Sequence, residues 1–567
     1  MSKSNAHAAD LLRSYAAALS LEGANRFKLK AYRRAAETIE GLEDDIAELV
    51  KRGSDLTELP GIGKAISEII LEIVRSGKLT RLERTLAHLT PELVELATRP
   101  GLDPKKINRV YKKLGISSLG ELKKSLEAGS IAEVFGPRIE YHVRQGLDER
   151  PRSLLYSVQD LAWKIELYLQ SIPSVTKASV AGSLRRKQDT VGNLNFLVAA
   201  KGAKGAASVF ERFRNFSGVL SADTRGRAQG MFKLSSGLSV ALRWTAPEEW
   251  GLSLILATGS ALHVQELEAR AARRKIRLTS TDLVAKGIDI ADEKSVYAGL
   301  GLAFVEPELR EGRGEVAAAS RRKLPKLIEL GDLRGDLHMH TTASDGANSI
   351  AEMAAAAQRK GYEYIAITDH SRSLKIANGL SEKQLLQQIR NIDKVNARLR
   401  GFRILKSAEV DILADGKLDY SNAVLKELDC TICSIHSRFG LNMAEQTDRI
   451  LQAMDNRYFT ILGHATGRLM LKRQGYQLDM ERIIKRAQAN GCFFEINSSP
   501  DRLDLSDEHA RLAREQGVKI AVNTDAHGID ELDFASAGIN QARRAWLEAS
   551  DVLNTLPLQQ ALRLFRR

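Results

Sequence analysis

The chain is poor in cysteine and lacks a long apolar run. Only three cysteines occur in 567 residues, which argues against a disulfide-stapled fold and indicates a reducing compartment. Cys430 and Cys433 form one C-x-x-C pair, and since no second pair completes a structural zinc site, we interpret both as thiols on a strand. No apolar stretch reaches the roughly 18 residues that span a bilayer, and the first residues lack the apolar core of a signal peptide. We expect a cytoplasmic protein with no membrane partner.

Positive charge is in excess and is concentrated in the middle of the sequence. The formal net charge is +13 and the isoelectric point is about 9.4. Residues 1–150 carry +3, residues 151–330 carry +9 and residues 331–567 carry +1. Such a field favours a polyanion, with nucleic acid as the obvious candidate, although ordinary basic proteins reach a similar isoelectric point. At this length the chain can hold three or four domains.

The first third of the sequence predicts short amphipathic helices joined by glycine turns. Apolar positions at helical spacing run through residues 6–56, and Pro-Gly-Ile-Gly-Lys at 60–64 leads into another helical run. Glycines permit a tight turn with N–H groups pointing outward at a helix start, which suits a phosphate. A weaker copy occupies 99–106, where Asp103 replaces the second glycine. Both copies resemble the helix-hairpin-helix motif, which grips a DNA backbone without reading bases.

The resemblance predicts which positions of the two turns contact DNA. They are Gly61, Gly63, Lys64, Gly101, Lys105 and Lys106.

The middle third contains a strand, a Gly-Ser-x-Arg-Arg turn at 182–186 and a second strand, followed by Thr-Gly-Ser-x-x-His at 258–263. With the two hairpins before them, these motifs resemble the bacterial family X DNA polymerases that carry a C-terminal PHP domain, over nearly the whole chain. The resemblance implies a multidomain α and α/β protein with a nucleotidyltransferase-like α+β palm and thumb and a C-terminal distorted (β/α)7 barrel.

The same resemblance divides the chain into five segments. These are an N-terminal helical domain with the first hairpin (1–90), a fingers-like region with the second hairpin (91–150), a palm and thumb (151–315), a linker (316–334) and a PHP metallophosphoesterase domain (335–567).

The palm lacks the acidic residues that the family uses to hold two magnesium ions. Where the family has Gly-Asp-x-Asp and a third carboxylate on a neighbouring strand, this sequence has Asn193, Asn195 and Ala241. Neutral amides offer no charge to offset magnesium and a triphosphate. We therefore expect a degenerate polymerase site without magnesium. Arg185 and Arg186 near the cleft would still hold duplex DNA, or would be solvated surface charges.

In the last third, apolar strand-like runs alternate with helical stretches, which predicts a parallel barrel with functional residues at the C-terminal strand ends. Six histidines and several carboxylates, with no thiolate, follow these runs. This borderline-hard donor set suits zinc, manganese or iron. His338 and His340 are two residues apart, which puts both rings on one face of a strand.

In their order along the chain, these clusters resemble the PHP phosphoesterase domain, in which nine side chains bind three divalent ions. The resemblance would place the first ion on His338, His340, Glu409 and Asp525, the second on Glu409, His436 and His464, and the third on Asp345, His370 and His527. We interpret Asp336 and Asp369 as outer acceptors that fix imidazole tautomers. His263 and His509 lie outside the set and are interpreted as ordinary histidines.

The residues expected to act in catalysis are His338, His340, Glu409, His436, His464, Asp525 and Arg468. Arg468 is the candidate for gripping the substrate phosphate, with an ordinary arginine at the barrel rim as the alternative. Asn497, Arg502 and Asp504 follow a strand and could line the same pocket.

These features predict a DNA-processing, metal-dependent phosphodiesterase. The resemblance implies 3′-5′ exonuclease activity in DNA repair, with cleavage at abasic sites or 3′-end trimming as related activities and a silent polymerase core that binds DNA with ends, gaps or abasic sites. The alternatives are an active gap-filling polymerase with a PHP exonuclease, a PHP-type small-molecule phosphatase, and a DNA-binding scaffold. No obligatory protein partner is evident from the sequence.

Overall fold

A computed structural model describes residues 3–566 with the exception of 23, 25, 41, 43, 87–103, 117, 137–138, 141–142, 145–146, 148–151 and 226–227. The chain forms two compact units. The first contains Met1–Ser153, Ala203–Arg243 and Leu471–Arg473, and the second contains Leu154–Gly202, Trp244–Met470 and Gln474–Arg567. Among the described residues, no helix has both the length and the apolar character needed to cross a bilayer.

The first unit begins with a set of short helices, as the sequence predicts. Their bounds are Lys3–Leu21, Arg26–Glu40, Ile46–Lys51, Lys64–Ser76, Thr80–Leu86, Pro104–Leu114, Leu119–Glu127 and Ser130–Phe135. Leu12, Ile39 and Ile70 are fully buried in one core between the first helices. A second core around Ile107 and Leu122 joins the later ones. Each helix is therefore held by one apolar face, which short helices need for stability.

Fifteen strands follow in the two units. They are β1 Ser153–Leu154, β2 Val175–Ala181, β3 Thr190–Val191, β4 Asn193–Ala200, β5 Val219–Arg225, β6 Gln229–Leu234, β7 Ser239–Thr245, β8 Gly335–Asp336, β9 Tyr364–Ile367, β10 Arg403–Lys406, β11 Glu409–Asp411, β12 Ile432–Ser434, β13 Ile461–Leu462, β14 Phe493–Asn497 and β15 Ile520–Asn523. In the first unit, β5, β6 and β7 form an antiparallel meander, and the helix Gly202–Arg214 precedes it.

The palm-like part of the second unit is built from β2 and β4, which pair antiparallel with Ala181 opposite Asn195. The helix Leu155–Gln170 precedes them, and the short helix Gly182–Arg185 contains the Gly-Ser-x-Arg-Arg turn. Five further helices form the next layer, Trp250–Thr258, Ala261–Arg273, Ser280–Ala285, Glu293–Gly299 and Glu315–Ser320. Their core includes the buried residues Ile255 and Leu267.

Buried ion pairs join these helices to the turn. Glu293 Oε1 accepts hydrogen bonds from Arg310 Nη1 at 2.6 Å and from Arg185 Nη1 at 2.9 Å. Arg310 is fully buried, so the carboxylate compensates a charge that water cannot reach. His263 is also buried, between Glu315 at 2.6 Å and the Tyr297 hydroxyl at 2.9 Å. These two hydrogen bonds support the interpretation of His263 as an ordinary structural histidine.

The C-terminal part of the second unit is a closed parallel barrel of seven strand positions. Strands β8, β9 and β10 pair in parallel, as do β11 to β15 in sequence order. A parallel bridge between His370 and Glu409 continues the third position from β10 into β11. A second parallel bridge, Met339 with Ala526, closes the ring. The predicted parallel barrel is confirmed.

Helices cover the outside of the barrel. Their bounds are Ile350–Arg359, Glu382–Asn396, Asn422–Leu425, Met443–Met454, Met480–Asn490, Asp507–Glu515, Ala535–Arg544 and Leu558–Phe565. One core packs the first seven helices against the strands, with Ile367, Ile404 and Phe494 buried in it. The helix Leu558–Phe565 packs in a separate core with Leu337 and Tyr364. Three of the longer helices start with a capping box, at Ser349, Ser381 and Asn442. These caps satisfy free N–H groups and fix where each strand-to-helix loop ends.

The buried ion pairs make Glu293 a test of the second unit's stability. In Glu293→Gln the amide keeps the shape but loses the charge that compensates Arg310. Breaking a buried pair costs about 3–5 kcal/mol, so the urea midpoint of unfolding, followed by circular dichroism, should fall clearly. Glu268→Gln, an exposed glutamate on the helix Ala261–Arg273, is the control and should leave the midpoint unchanged. Equal midpoints for both variants would contradict this role.

Candidate metal centre

One buried carboxylate, Glu409, lies at the centre of the predicted ligand set. Its Oε2 atom is 2.7 Å from His370 Nδ1, 3.5 Å from His338 Nε2 and 3.6 Å from His340 Nε2. Its Oε1 atom is 2.8 Å from His464 Nε2 and 3.4 Å from His436 Nε2. Five imidazoles from four strand ends therefore surround one glutamate.

Two aspartates complete the cluster on one side of Glu409. Asp525 Oδ1 is 3.0 Å from His340 Nε2 and 3.3 Å from His338 Nε2. Asp345 Oδ1 is 3.6 Å from His370 Nε2 and 3.5 Å from His527 Nε2. The structure thus brings all nine predicted ligands together at the C-terminal ends of the barrel strands.

The donor atoms form three groups that could each hold a cation, with all atoms of a group within 4.8 Å of one another. The groups are His338, His340 and Asp525, then His370, Glu409 and His436, and finally His340, Asp345, His370 and His527. These groups share members and differ from the sets implied by the resemblance in placing His340 and His370 in two groups each. His464 contacts Glu409 directly, as the resemblance implies.

The donor set fits divalent ions. His338 Nε2, His340 Nδ1 and His464 Nδ1 are buried ring atoms without a hydrogen-bond partner in the described part of the chain. Buried polar atoms of this kind are costly unless something satisfies them. Metal–ligand distances of about 2.0–2.2 Å place neighbouring ligand atoms about 3 Å apart, which is the spacing observed here.

The carboxylates hold two of the ligand imidazoles, those of His436 and His527, in their charged form. Burial alone would lower the pKa of His436, but the charge of Glu409 and the hydrogen bond with Asp411 raise it to about 10. In the same way, Asp345 and Asp525 outweigh burial and raise the pKa of His527 to about 9. Burial raises the pKa of Glu409, but the positive charges of His370 and His436 outweigh burial and leave this pKa well below its usual range. Cations entering this site must therefore displace protons.

Two carboxylates that orient ligands are absent from the predicted set. Glu495 Oε1 is 2.7 Å from His338 Nδ1, and its Oε2 accepts the His464 backbone N–H at 2.8 Å. Asp411 Oδ1 is 2.7 Å from His436 Nδ1. These contacts turn the Nε2 atoms of both rings toward Glu409. Glu495 lies inside the buried strand β14, and Asp411 ends β11 two residues after Glu409. An acidic residue within a buried strand was therefore the available signal.

Glu495 is surrounded by hydrogen-bond donors only. Besides His338 and the His464 N–H, it accepts from Asn523 Nδ2 at 2.9 Å and from Asn497 Nδ2 at 3.2 Å. Asn497 Nδ2 also donates to Asp525 Oδ2 at 2.9 Å. One fully buried carboxylate thus connects to three ligands, directly or through one amide.

The assignment of Asp336 and Asp369 to imidazole orientation was wrong. Asp336 accepts from the His338 backbone N–H and from the Thr524 hydroxyl at 2.5 Å. Asp369 accepts from the Thr341 N–H at 2.8 Å and from the Ser344 hydroxyl at 2.5 Å. Both carboxylates therefore fix the loops that carry the ligands, and their contacts are with backbone and hydroxyl groups and, for Asp369, with the Gln388 amide.

The predicted phosphate contact Arg468 lies near the barrel mouth with its guanidinium already engaged. Its Nε donates to the Arg502 carbonyl at 2.8 Å, its Nη2 donates to the Leu503 carbonyl, and it lies 3.4 Å from Asp189. Arg502 is closer to the ligands, because its Nε is 3.6 Å from Asp525 Oδ2. Asp504 is fully buried and accepts the Thr466 N–H and hydroxyl, each at 2.9 Å.

The three residues at the degenerate polymerase positions lie on strands. Asn193 and Asn195 are on β4, where Asn195 Nδ2 donates to the Asn193 carbonyl at 3.3 Å. Gly182 has φ +59°, and a Cβ there would lie 2.8 Å from Asn195 Nδ2. Ala241 is on β7. Among the residues the structure describes, the groups able to hold a metal ion all lie in the barrel.

The residues predicted to bind DNA differ in their surroundings. Gly61 has φ +81° and Gly63 precedes the helix Lys64–Ser76, so the first turn has the expected form, with Lys64 exposed. Arg185 and Arg186 are paired with Glu293 and Glu311, which leaves their contact with DNA a prediction. Gly101 and the side chains of Lys105 and Lys106 fall outside the described residues.

Comparison with known proteins identifies three domain matches. Family models described as a helix-hairpin-helix domain, a DNA polymerase beta thumb and a PHP domain match residues 3–79, 253–311 and 336–499. The chain is 37% identical to the DNA polymerase/3′-5′ exonuclease PolX of Bacillus subtilis, over 98% of each chain. A probable phosphatase of Thermoanaerobacter sp. is 32% identical over 39% of this chain and 89% of its own length. A probable phosphatase of Syntrophotalea carbinolica is 30% identical over 39% and 90%.

Glu495→Gln should weaken metal binding while leaving the fold intact. An amide presents one acceptor and one donor to four donors, so either the His338 side or the His464 side loses its partner. Losing an outer partner typically costs 10–100-fold in metal affinity, measured by zinc titration against a competing chelator. Glu481→Gln, an exposed glutamate on the helix Met480–Asn490, should match the wild type. Unchanged affinity in Glu495→Gln would contradict this role.

Metal uptake should release protons near pH 8. His436 and His527 have pKa values raised to about 10 and about 9, so both rings carry a proton before a cation arrives and must lose it to bind. Affinity should therefore fall as the pH is lowered. Calorimetric zinc titrations in two buffers of different ionisation enthalpy would count the protons, and His527→Gln should release fewer. Metal uptake without proton release would contradict this electrostatic description.

Proposed function

Because the chain belongs to the PolX family of DNA polymerase/3′-5′ exonucleases, we propose that it is a DNA-processing, metal-dependent phosphodiesterase with a silent polymerase core. The favoured activity is 3′-5′ exonuclease action in DNA repair, with cleavage at abasic sites and phosphate removal at 3′ ends as related activities of the same centre. One contrast carries the proposal. The barrel keeps all nine ligand side chains in contact, whereas Asn193, Asn195 and Ala241 give the polymerase positions no negative charge.

The ions that suit this donor set are three zinc or manganese ions, or iron, in the barrel. Bound there, they would activate water near neutral pH and offset charge on the phosphoryl oxygens. The ligand groups suggest His338, His340 and Asp525 on one side of Glu409 and His436 and His464 on the other. Magnesium at Asn193 and Asn195 is not part of the proposal, because amides cannot balance its charge.

The protein's own groups would hold the substrate phosphate beside this centre. Arg502 supplies the guanidinium nearest to a ligand, at 3.6 Å from Asp525. With Asp525 held as a ligand of the proposed cations, this guanidinium would be free to meet an incoming phosphate oxygen. Arg468 supports the contact by donating to the Arg502 and Leu503 carbonyls, which fixes the loop.

The other parts of the chain would bring DNA to the barrel. The turn at Gly61 and Gly63 presents backbone N–H groups and the exposed Lys64 to one phosphate. The second hairpin, with Gly101, Lys105 and Lys106, would repeat this contact. Residues 151–330 carry most of the net positive charge, which favours electrostatic binding of duplex ends or gaps.

A small-molecule phosphatase is the second candidate, because relatives that match 39% of this chain and 89–90% of their own length are named probable phosphatases. The two functions differ in the preferred substrate, which is a phosphomonoester for the phosphatase and a DNA 3′ end for the nuclease. A phosphomonoester cleaved much faster than the 3′ terminus of a recessed duplex would favour the phosphatase. Templated lengthening of the same primer with all four deoxynucleotides would reject the silent core.

His340→Ala should abolish nuclease activity. This ring contributes to two of the three ligand groups, and since losing even an outer partner of a ligand costs 10–100-fold, we expect a loss of at least about 100-fold. The assay follows shortening of a 5′-labelled, 3′-recessed duplex with manganese. His7→Ala, an exposed histidine on the first helix, should keep full activity. Unchanged cleavage by His340→Ala would remove the barrel as the active centre.

A further inference from the structure

A basic pocket lies between two helices of the second unit, Ala261–Arg273 and Glu315–Ser320. Its volume of about 330 Å³ is at the small end of the range for small-molecule sites. Three arginines and one glutamate in its walls give a formal charge of +2. The residues that line it include Glu266, Arg270, Arg273, Val316, Ser320 and Arg321.

The two helices are held rigidly together. His263 Nδ1 and Glu315 Oε1 are 2.6 Å apart, and both side chains are fully buried. Leu267 and Ala271 of the first helix lie in one apolar core with Val316 of the second. Because this frame is fixed by packing and by a buried hydrogen bond, a ligand that enters the pocket has little protein ordering to pay for.

Acidic and basic groups are separated along the pocket. Glu266 and Arg273 lie on one face of the first helix, seven residues and therefore about 10 Å apart. Arg273 is the last residue of that helix and Arg321 directly follows the second, and both are exposed. Burial and the charge of Glu315 raise the pKa of Glu266, so the acidic end is short of positive charge. The pocket suits a ligand with hydrogen-bond donors at one end and negative charge at the other.

The basic end suits more than one phosphate group. Arg270 Nε donates to the Leu300 carbonyl at 3.1 Å, and its Nη2 donates to the Gly301 carbonyl at 3.3 Å. These bonds orient the guanidinium and leave its other N–H groups for a ligand. Arg273 and Arg321 add two more guanidiniums, which form strong paired hydrogen bonds with phosphate oxygens.

Several guanidiniums around one small cavity repel one another unless an anion of comparable charge lies between them. A diphosphate or triphosphate has that charge in a compact form. A DNA duplex presents its phosphates one after another along a line, and its backbone would also meet the carboxylate of Glu266. The pocket therefore favours a small polyphosphate over a duplex.

The acidic end favours one type of base. A carboxylate accepts hydrogen bonds through two oxygens and donates none. Guanine has two adjacent donors, its ring N1–H and its amino group, whereas adenine and cytosine present one amino group next to acceptors. Val316, which is almost fully buried, gives the pocket an apolar surface on which a base can pack.

We propose that this pocket binds a guanine nucleotide that carries two or more phosphates. The base lies against Glu266 and Val316, and the phosphates contact the three arginines. None of these residues belongs to the metal centre, so the inference goes beyond the proposed function and does not depend on it. The bound nucleotide would join the two helices across the pocket, and the second of them leads into the barrel.

Calorimetric titrations of the full chain with GDP, ADP and pyrophosphate test the base contact. GDP should bind about 5- to 150-fold more tightly than ADP, which is the discrimination given by one bidentate contact with a base. In Glu266→Gln, GDP should bind no better than ADP, and the affinity for pyrophosphate should stay unchanged. Glu268→Gln, an exposed glutamate on the same helix, should behave like the wild type.

The phosphate contacts have a separate test. Arg273→Ala should weaken the binding of both GDP and pyrophosphate at least about 10-fold, because a hydrogen bond between charged groups is lost. Arg321→Ala should have the same effect. Arg359→Ala, which removes an exposed arginine from the end of the helix Ile350–Arg359, is the matched control and should change neither affinity.

Three results would overturn the inference. Equal affinities of the wild type for GDP and ADP would leave an anion site without base recognition. GDP binding that is unchanged in Glu266→Gln and Arg273→Ala would place the nucleotide elsewhere in the protein. A wild type that does not bind GDP, but loses affinity for a duplex oligonucleotide on Arg273→Ala, would assign the arginines to the DNA backbone. Nuclease activity enters none of these measurements, so the proposed function and the pocket can fail independently.

Discussion

The charge balance around Glu409 is the constraint on which the active part of the structure depends. This glutamate is buried, and five imidazoles from four strand ends lie within 2.7–3.6 Å of its two oxygens. Such a cluster is unfavourable with neutral rings and unfavourable with five protonated rings. Divalent ions held by these side chains would resolve the conflict, because they would satisfy several ring nitrogens and balance Glu409, Asp525 and Asp345. The barrel supplies the ring of strand ends that this cluster needs.

The same argument explains why the barrel and the palm-like part of the chain differ. In the barrel, the carboxylates of Glu495 and Asp411 form hydrogen bonds with the Nδ1 atoms of ligand imidazoles and so fix their tautomers. On β4 the corresponding negative charge is missing, and Asn195 donates to the Asn193 carbonyl instead. Arg185 and Arg186 are held by carboxylates of the following helices and loop. The palm-like part is a well-packed body in which these two arginines are paired internally, which is consistent with the proposed structural and DNA-binding role.

The sequence predicted the barrel and the ligand set because both depend on local patterns. A histidine or acid directly after an apolar strand is visible in the sequence, and parallel strand ends must meet at one edge. Partners that come from distant strands were not visible. Glu495 meets His338 across 157 positions and was missed, whereas Asp336 and Asp369 were assigned to imidazoles because they are adjacent in sequence. The pairing of Arg186 with Glu311 likewise depends on packing that spacing does not encode.

Crystals grown with manganese test the central claim most directly, through anomalous difference density at the manganese edge. The account predicts strong peaks enclosed by His338, His340, Glu409 and Asp525 and by the neighbouring ligands, with no peak beside Asn193 and Asn195. Manganese bound at the two asparagines, or a barrel without anomalous density, would contradict it.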